Sequence, residues 1–308
     1  MSRARAVVFA YHDVGVRCLK TLISAGVEIP LVVTVGDDPR EAQWYASVAA
    51  TAADYGLTVI APAEVNSSQL ERAVSELQPD FIFSFYYRSM LGAALLRAAR
   101  RGALNMHGSL LPKYRGRAAV NWAILKGERE TGATLHYMVE RADAGDIVDQ
   151  LSIPILQDDD AREVFAKVTV AAETILARSL PQLLAGTAAR RPQPIVSGQY
   201  FGRREPGDGR IDWSRPAQEI HNLVRAVAPP FPAAFAQVAG ERWAIHRTRV
   251  SARRAPPGVG VRLFAADGEC YVACADGGVL WLRAAENARG PIDLAALARQ
   301  LATPIALS

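Results

Sequence analysis

Two polar side chains at the end of an apolar run carry the clearest chemical signal in this chain. Asn105 and His107 are two residues apart in the segment Leu104-Asn105-Met106-His107. In an extended strand this spacing places both side chains on the same face. An amide can donate a hydrogen bond to an oxyanion and an imidazole can carry a proton, so the pair predicts a catalytic corner.

The residues that follow predict a turn, and a second turn further along the chain adds carboxylates. Pro112 and Gly116 do not continue a strand ladder comfortably, so the backbone should turn away after the polar pair. The later segment Ala142–Asp146 is a glycine-bearing turn with aspartates. An Asn, a His and an Asp can together handle a proton and an oxyanion.

The polar pair alone is weak support for catalysis, because a single His near a strand end is more often structural. The full pattern is much more specific. It reads Asn-x-His-x-Ser-Leu-Leu-Pro-x-Tyr-Arg-Gly at 105–116, followed by Asp-x-Gly-Asp at 143–146. This pattern resembles the signature of the folate-dependent formyltransferases, which act on methionyl-tRNA, glycinamide ribonucleotide or amino sugars.

Alternating apolar strands and helical segments predict the fold around these residues. Strand-like runs include Val7–Ala10, Ile29–Thr34 and Asp80–Phe85, with helix-like segments between them, among them Trp44–Tyr55. This order is typical of a Rossmann-like, doubly wound, mostly parallel α/β sheet. Ligands of such sheets bind outside the carboxyl ends of the strands, where Asn105 and His107 are expected.

A change of composition predicts two domains. The 308 residues suffice for two domains, and residues 186–209 are rich in Arg, Pro and Gly. We therefore predict a catalytic domain at 1–186, a linker at 187–209 and a smaller, β-rich, barrel-like domain at 210–308. Short apparent strands and the Asp276-Gly277-Gly278 turn support the last of these.

Composition and charge favour a soluble enzyme with small, anionic substrates. Half of the residues are apolar, 21% are charged and the net charge is +4. The arginines are scattered rather than clustered, which does not favour nucleic-acid binding, and no apolar run approaches the ~20 residues of a membrane span. The N-terminal apolar run is too short for a signal peptide, so we expect a cytoplasmic protein.

Several cofactor and metal fingerprints are missing from the sequence. The turn Ala10–Gly15 lacks the Gly-x-Gly-x-x-Gly pattern, so a nicotinamide cofactor is not expected. Cys270 and Cys274 lack the further ligands of a zinc site, and together with Cys18 they make no disulfide framework. We predict that the enzyme uses neither a metal ion nor NAD.

The resemblance covers essentially the whole chain. It is closest to the formyltransferase domain of the bifunctional UDP-4-amino-4-deoxy-L-arabinose enzyme, a branch associated with lipid A modification. The strings Val8–Asp13, Phe83–Arg88 and Phe201–Arg204 are shared with that branch. Because the present sequence ends at Ser308, we expect the decarboxylase activity of the bifunctional enzyme to be absent or encoded elsewhere.

The resemblance implies a formyl donor, 10-formyltetrahydrofolate, and three catalytic residues, Asn105, His107 and Asp143. Positions that match the family's folate contacts are Ser89, Met90, Leu91, Arg117, Val139, Glu140, Arg141, Ala142 and Asp143. Candidates for contacts with the acceptor sugar are Tyr11, His12 and Asp13. Arg203 and Arg204 are candidates for contacts with its phosphates, with a solvated linker as the alternative.

Four functions stay open at this point. The first is transfer of the formyl group to the 4-amino group of a nucleotide-linked sugar, with UDP-4-amino-4-deoxy-L-arabinose as the favoured acceptor and another nucleotide-linked amino sugar as the alternative. The second is formylation of methionyl-tRNA, which the short acidic loop Gly36–Glu41 disfavours because it would repel phosphates. The others are hydrolysis of the formyl donor and non-catalytic binding of folate or nucleotide. The sequence does not indicate the oligomeric state.

Overall fold

The computed structural model describes residues 3–36, 43–194 and 200–307. The chain divides into two compact units, which we call the first and the second unit. The first unit contains Met1–Ala119, Glu130–Pro154 and Ala166–Gly202. The second unit contains Val120–Arg129, Ile155–Phe165 and Arg203–Ser308.

The helices and strands alternate in the N-terminal two thirds of the chain. In chain order they are β1 (Arg5–Ala10), α1 (His12–Ser24), β2 (Glu28–Val33), α2 (Val48–Asp54), β3 (Val59–Ile60), α3 (Ser68–Glu76), β4 (Phe81–Phe85), α4 (Ala93–Ala98), β5 (Gly102–His107), β6 (Arg115–Gly116), α5 (Ala119–Leu125), β7 (Glu130–Tyr137), β8 (Ile147–Pro154), α6 (Ala161–Ala185) and β9 (Tyr200–Phe201).

Strands dominate the remainder. A short 3-10 helix (Pro206–Gly209) is followed by α7 (Ala217–Ala226), β10 (Ala234–Val238), β11 (Glu241–Ser251), β12 (Arg262–Ala266), β13 (Glu269–Ala273), β14 (Val279–Asn287), β15 (Gly290–Pro291), α8 (Leu294–Gln300) and β16 (Ile305–Ala306).

The first unit is built on a seven-stranded sheet of order β3-β2-β1-β4-β5-β7-β8. The strands from β3 to β5 are parallel, and β7 and β8 are antiparallel to their neighbours. Parallel strands are covered on both faces, which explains the continuous apolar runs: residues 7–10 and 81–85 are all buried. The strand order reverses direction between β1 and β4, and ligands of open α/β sheets bind at such points.

The second unit is a nearly closed antiparallel barrel. Its strands follow the order β10-β11-β14-β13-β12-β16, and a backbone bridge joins Val238 to Leu307. The barrel core includes Trp243, Leu263 and Leu280, against which Ile220 and Val224 of α7 pack. The predicted fold class, a doubly wound α/β sheet with a smaller barrel-like C-terminal domain, is confirmed.

Two details differ from the sequence prediction. The predicted helix at 44–55 begins only at Val48, because the Ser47 hydroxyl caps its N-terminus by accepting a hydrogen bond from the Ala50 amide. Residues 187–194 and 200–202, inside the segment predicted to be a linker, cluster with the first unit, where β9 pairs in parallel with β6. The predicted domain bounds themselves stay a prediction.

No helix in the described ranges is both long enough and apolar enough to cross a bilayer.

Candidate active site

Asn105 and His107 lie at the carboxyl end of β5, as the sequence predicts. β5 is flanked by β4 on one side and β7 on the other, and Asn105 stands opposite Ser84 and His136 in the two ladders. The Asn105 side chain is partly exposed, whereas His107 is 7% exposed. The two candidate side chains are therefore held by a strand that is paired on both sides.

The ring nitrogens of His107 both face oxygen atoms. Nε2 lies 2.8 Å from the Tyr114 carbonyl oxygen, which can only accept, so Nε2 carries a proton. Nδ1 lies 3.6 Å from Oδ1 of Asp143. Nδ1 is consequently the ring nitrogen that can exchange a proton, and it does so beside a carboxylate.

Asp143, in the turn predicted to supply carboxylates, lies beside Asn105 and His107. Its Oδ1 lies 3.5 Å from the Asn105 amide nitrogen, and its Oδ2 accepts a hydrogen bond of 2.8 Å from the Gly116 amide. Burial alone would raise the pKa of the Asp143 carboxyl, but the attraction of His107 and the hydrogen bond from the Gly116 amide hold this pKa well below its usual range. The group is therefore a carboxylate at neutral pH.

His136 completes the cluster, and the sequence interpretation missed it. The residue is 1% exposed and its Nδ1 donates to the Tyr137 carbonyl oxygen at 2.8 Å. Nε2 of the neutral ring is then an acceptor, and the Asn105 amide nitrogen lies 3.2 Å from it. His136 thereby fixes which end of the Asn105 amide faces the ring.

A network of hydrogen bonds holds the loop that follows His107. The Ser109 hydroxyl donates to the Lys113 carbonyl oxygen at 2.6 Å. Thr134 of β7 donates to the Ser109 carbonyl oxygen at 2.6 Å and accepts from the Leu111 amide at 3.1 Å. The loop therefore folds back on itself, which places the Tyr114 carbonyl oxygen beside Nε2 of His107.

The positions matched to folate contacts lie in two segments, residues 89–91 and 139–143, and at Arg117. Ser89 and Met90 follow β4 and are exposed, while Leu91 is buried. Residues 139–141 are exposed at the start of the loop that carries Asp143, and Arg117 is exposed after β6. Met90 and Val139 are 52% and 46% exposed, comparable with other exposed apolar side chains such as Leu156 at 58% and Val170 at 63%.

The β1–α1 turn at the point where the strand order reverses is aromatic. The His12 ring stacks on Tyr45 with centroids 4.1 Å apart and meets the edge of Trp44 at 4.5 Å. The hydroxyls of Tyr11 and Tyr45 are in contact, and the Arg88 guanidinium lies 4.4 Å from the Tyr11 ring centroid. Tyr11 and His12 thus form a dense aromatic group with a cation beside it.

The protonation state of His12 is defined by its surroundings. Its Nδ1 accepts a hydrogen bond of 2.9 Å from the Asp13 amide, so Nε2 carries the proton of the neutral ring. Burial, with a smaller contribution from Arg88, lowers the pKa of His12 to about 3. The Asp13 carboxylate, 3.6 Å from Nδ1, does not reverse this direction.

This lowered pKa predicts an acid-sensitive fold. The unfolded chain binds a proton at His12 below the ordinary pKa of 6.5, while the folded chain does so only near 3. Stability from this residue is full above pH 6.5 and falls by about 1.4 kcal/mol per pH unit below it. Melting curves between pH 7 and 5 should show a smaller decline for His12→Asn, since Asn tolerates the left-handed φ of 65° at this position. Equal declines in both proteins would contradict the assignment.

Arg203 and Arg204 belong to the second unit and differ from each other. Arg203 is exposed and lies 3.5 Å from Glu205. Arg204 is mostly buried, lies 4.9 Å from the centroid of the Trp122 ring and donates to the Asp208 carbonyl oxygen at 3.0 Å. Phosphate binding by either residue stays a prediction.

The acidic loop Gly36–Glu41 falls almost entirely outside the described residues, which resume at position 43. The argument against tRNA therefore rests on its sequence alone. Across the described ranges, no group of three or more His, Cys, Asp or Glu residues is arranged to hold a metal ion.

Gly145 sets the path of the turn that carries Asp143. A Cβ at this position would overlap the backbone carbonyl oxygen of Tyr137, which cannot move aside without disturbing β7. Gly145→Ala should cost about 1–3 kcal/mol of stability. It should also lower activity about 10²-fold, because a shift near 1 Å in a catalytic group has that effect.

The matched control for this substitution is Gly207→Ala, which meets open space at an exposed position. Melting temperature and turnover should be unchanged in the control. Equal behaviour of the two alanine variants would show that the turn has room to adjust.

Comparison with known proteins agrees with this geometry. Residues 6–180 match the family described as formyl transferase, and residues 204–301 match the formyl transferase C-terminal domain. The first of these matches contains Asn105, His107 and Asp143. The chain belongs to the formyl transferase family.

Solved structures show the same fold. An N-formyltransferase from Helicobacter canadensis, in complex with folinic acid and dTDP-3-aminofucose, is 20% identical with a TM-score of 0.73 and covers 92% of this chain and 99% of its own. WlaRD, a sugar 3N-formyl transferase with dTDP and 5-N-formyl-THF, is 18% identical with a TM-score of 0.72 and covers 94% and 99%. A 4-N formyltransferase from Francisella tularensis is 19% identical with a TM-score of 0.62 and covers 78% and 95%.

Proposed function

We propose that this protein is an N-formyltransferase that moves a formyl group from 10-formyltetrahydrofolate to the 4-amino group of a nucleotide-linked sugar. The favoured acceptor is UDP-4-amino-4-deoxy-L-arabinose. The observation that carries the proposal is the cluster of Asn105, His107 and Asp143 at the end of β5. Asp143 Oδ1 lies 3.5 Å from the Asn105 amide nitrogen and 3.6 Å from His107 Nδ1.

The chemistry of the cluster fits attack of an amine on a formyl group. The neutral amine attacks the formyl carbon, a tetrahedral oxyanion forms, and folate N10 leaves with a proton while the amine loses one. Asn105 has two amide hydrogens, of which one is bound by His136. The second points towards Asp143 at the limit of a hydrogen bond and is available to the oxyanion. Such a donor is worth about 2.7–4 kcal/mol in the transition state.

His107 and Asp143 provide for the proton. Since the Tyr114 carbonyl oxygen occupies Nε2–H, the transferred proton passes through Nδ1. The Asp143 carboxylate beside Nδ1 stabilises the positive charge that forms on the ring while the amine and N10 exchange a proton. The pair therefore acts as a general acid and base in the middle of the reaction.

The exposed apolar side chains of Met90 and Val139 support the folate assignment. Both side chains are accessible to a ligand, and both lie in segments matched to the family's folate contacts. Two of the structural relatives hold a folate together with a dTDP compound. We therefore assign the donor site to residues 89–91, Arg117 and 139–143.

The aromatic β1–α1 turn supports a sugar acceptor. The neutral His12 ring stacks on Tyr45, and Arg88 beside Tyr11 adds a cation at the place where the strand order reverses. We assign Tyr11, His12 and Asp13 to the acceptor. Arg203 and Arg204 are proposed to contact its phosphates.

A direct competition tests the acceptor. The purified protein is given 10-formyltetrahydrofolate with UDP-4-amino-4-deoxy-L-arabinose, a dTDP-linked amino sugar or methionyl-tRNA, and initial rates are compared. The proposal predicts the highest kcat/KM for the UDP sugar. Preference for the dTDP sugar would overturn the choice of nucleotide, and preference for methionyl-tRNA would overturn the amino-sugar assignment.

A further inference from the structure

A segment within the predicted linker is hydrogen-bonded to the turn that carries Asp143 and to the strands beside this turn. We call residues 191–194 and 200–201 the strap. At one end, Arg191 and Ile147 exchange backbone hydrogen bonds of 2.8 and 2.9 Å. At the other end, β9 pairs with β6, and the Arg117 amide donates to the Phe201 carbonyl oxygen at 2.9 Å. The strap is thus attached on both sides of the catalytic turn.

Gln193, in the strap, holds the turn directly. Its side-chain nitrogen donates to the carbonyl oxygens of Asp143 at 3.0 Å and Gly145 at 2.6 Å. Its side-chain oxygen accepts from a terminal guanidinium nitrogen of Arg115 at 2.9 Å. The residue is 8% exposed, so these bonds form away from water and none is easily replaced.

Arg115 reinforces the same carbonyl. It is 3% exposed, its Nε donates to the Asp143 carbonyl oxygen at 3.0 Å, and a terminal nitrogen donates to the Pro194 carbonyl oxygen at 3.1 Å. The Asp143 carbonyl oxygen therefore receives hydrogen bonds from Gln193 and from Arg115. These two hydrogen bonds hold the backbone at Asp143, and with it the carboxylate that faces His107.

The backbone of Asp143 explains why restraint is required. Its φ is 51°, in the left-handed region that costs a non-glycine residue of order 1 kcal/mol or more. Hydrogen bonds to its carbonyl oxygen fix the plane of the Asp143–Ala144 peptide and so restrict rotation about ψ of Asp143. They hold the turn in the conformation that places the carboxylate beside His107.

We propose that Gln193 is a positioning residue that, through the strap, keeps the Asp143 carboxylate on Nδ1 of His107. The catalytic consequence rests on the proposed formyl transfer. The positioning itself concerns only the geometry of the turn and can be measured without turnover.

The test uses Gln193→Met in the full chain, because Met keeps the length of the side chain and removes both donors and the acceptor. Arg191→Ala is the matched control, since Arg191 contributes backbone hydrogen bonds to the strap and its side chain is exposed. We expect Gln193→Met to lower kcat about 10–10²-fold, with KM for the folate changed far less, as for a misplaced catalytic group. Arg191→Ala should keep the kcat of the wild type.

A double-mutant cycle separates positioning from a general structural role. If Gln193 acts through the Asp143 carboxylate, adding Gln193→Met to Asp143→Asn should lower kcat by less than about threefold further. A merely structural Gln193 would lower kcat by the same factor in both backgrounds. That second result, or a wild-type kcat in Gln193→Met, would overturn the proposal.

Hydrogen exchange of the Gly116 amide reports on the turn without any catalysis. This amide donates to Asp143 Oδ2, so release of Asp143 should speed its exchange at least about tenfold in Gln193→Met and leave it unchanged in Arg191→Ala. Faster exchange in a protein that transfers no formyl group would refute the proposed function and keep the positioning. Unchanged exchange would refute the positioning whatever the activity.

Discussion

Asp143→Asn is expected to lower kcat about 10²–10⁴-fold, the range of general acid–base contributions. The substitution keeps the size of the side chain and removes its charge. Nδ1 of His107 then faces an amide, whose N–H can donate to it and hold the ring in its neutral form. His107 then holds the proton that passes between the amine and N10 less well, so kcat falls. Substrate affinity should change by much less.

Steady-state kinetics with a melting curve tests this expectation, and Asp146→Asn is the matched control. Asp146 lies in the same turn, but its carboxylate is half-exposed and lies 4.0 Å from Arg190. The control should behave like the wild type. An Asp143→Asn protein that melts normally and keeps more than about a third of the wild-type kcat, far above the acid–base range, would remove Asp143 from the mechanism.

Asn105→Ala is expected to lower kcat about 10²–10³-fold, as removal of one oxyanion donor does in other enzymes. The amide is the group that offers N–H to the tetrahedral oxyanion, and a methyl group offers none. The change also leaves Nε2 of the buried His136 without its 3.2 Å donor, so a modest loss of stability should accompany the loss of rate.

Asn287→Ala is the control for this loss of stability. Asn287 is partly exposed in the second unit, where its amide donates to Glu241 at 3.1 Å. Both variants lose two side-chain hydrogen bonds, and only Asn105→Ala should lose turnover. A similar kcat in the two variants would show that the oxyanion is stabilised by other groups.

The local patterns in the sequence were sufficient to predict the sheet and two parts of the site. Buried parallel strands are continuously apolar, so β1 and β4 stand out. Asn105 and His107 share a face through their spacing alone, and Asp143 follows from the family pattern. The structure brings all three together, and their catalytic roles stay a prediction.

The residues that sequence reasoning missed depend on long-range pairing. His136 meets Asn105 only because β7 pairs antiparallel with β5 in one register, and no local pattern specifies that register. Gln193 stands in a stretch rich in Pro and Arg, whose composition is typical of a linker. Its role depends on the pairing of β9 with β6 and on the bridge between Arg191 and Ile147, which are equally non-local.

The most direct test of formyl transfer follows both products in one reaction. The purified protein is mixed with 10-formyltetrahydrofolate and UDP-4-amino-4-deoxy-L-arabinose, and tetrahydrofolate and the formylated sugar are quantified over time. The account predicts that the two appear in equal amounts, with no formate released, and that His107→Ala slows both together. Release of formate and tetrahydrofolate without a formylated sugar would identify a hydrolase, and an intact donor would identify a binding module; either result would contradict the account.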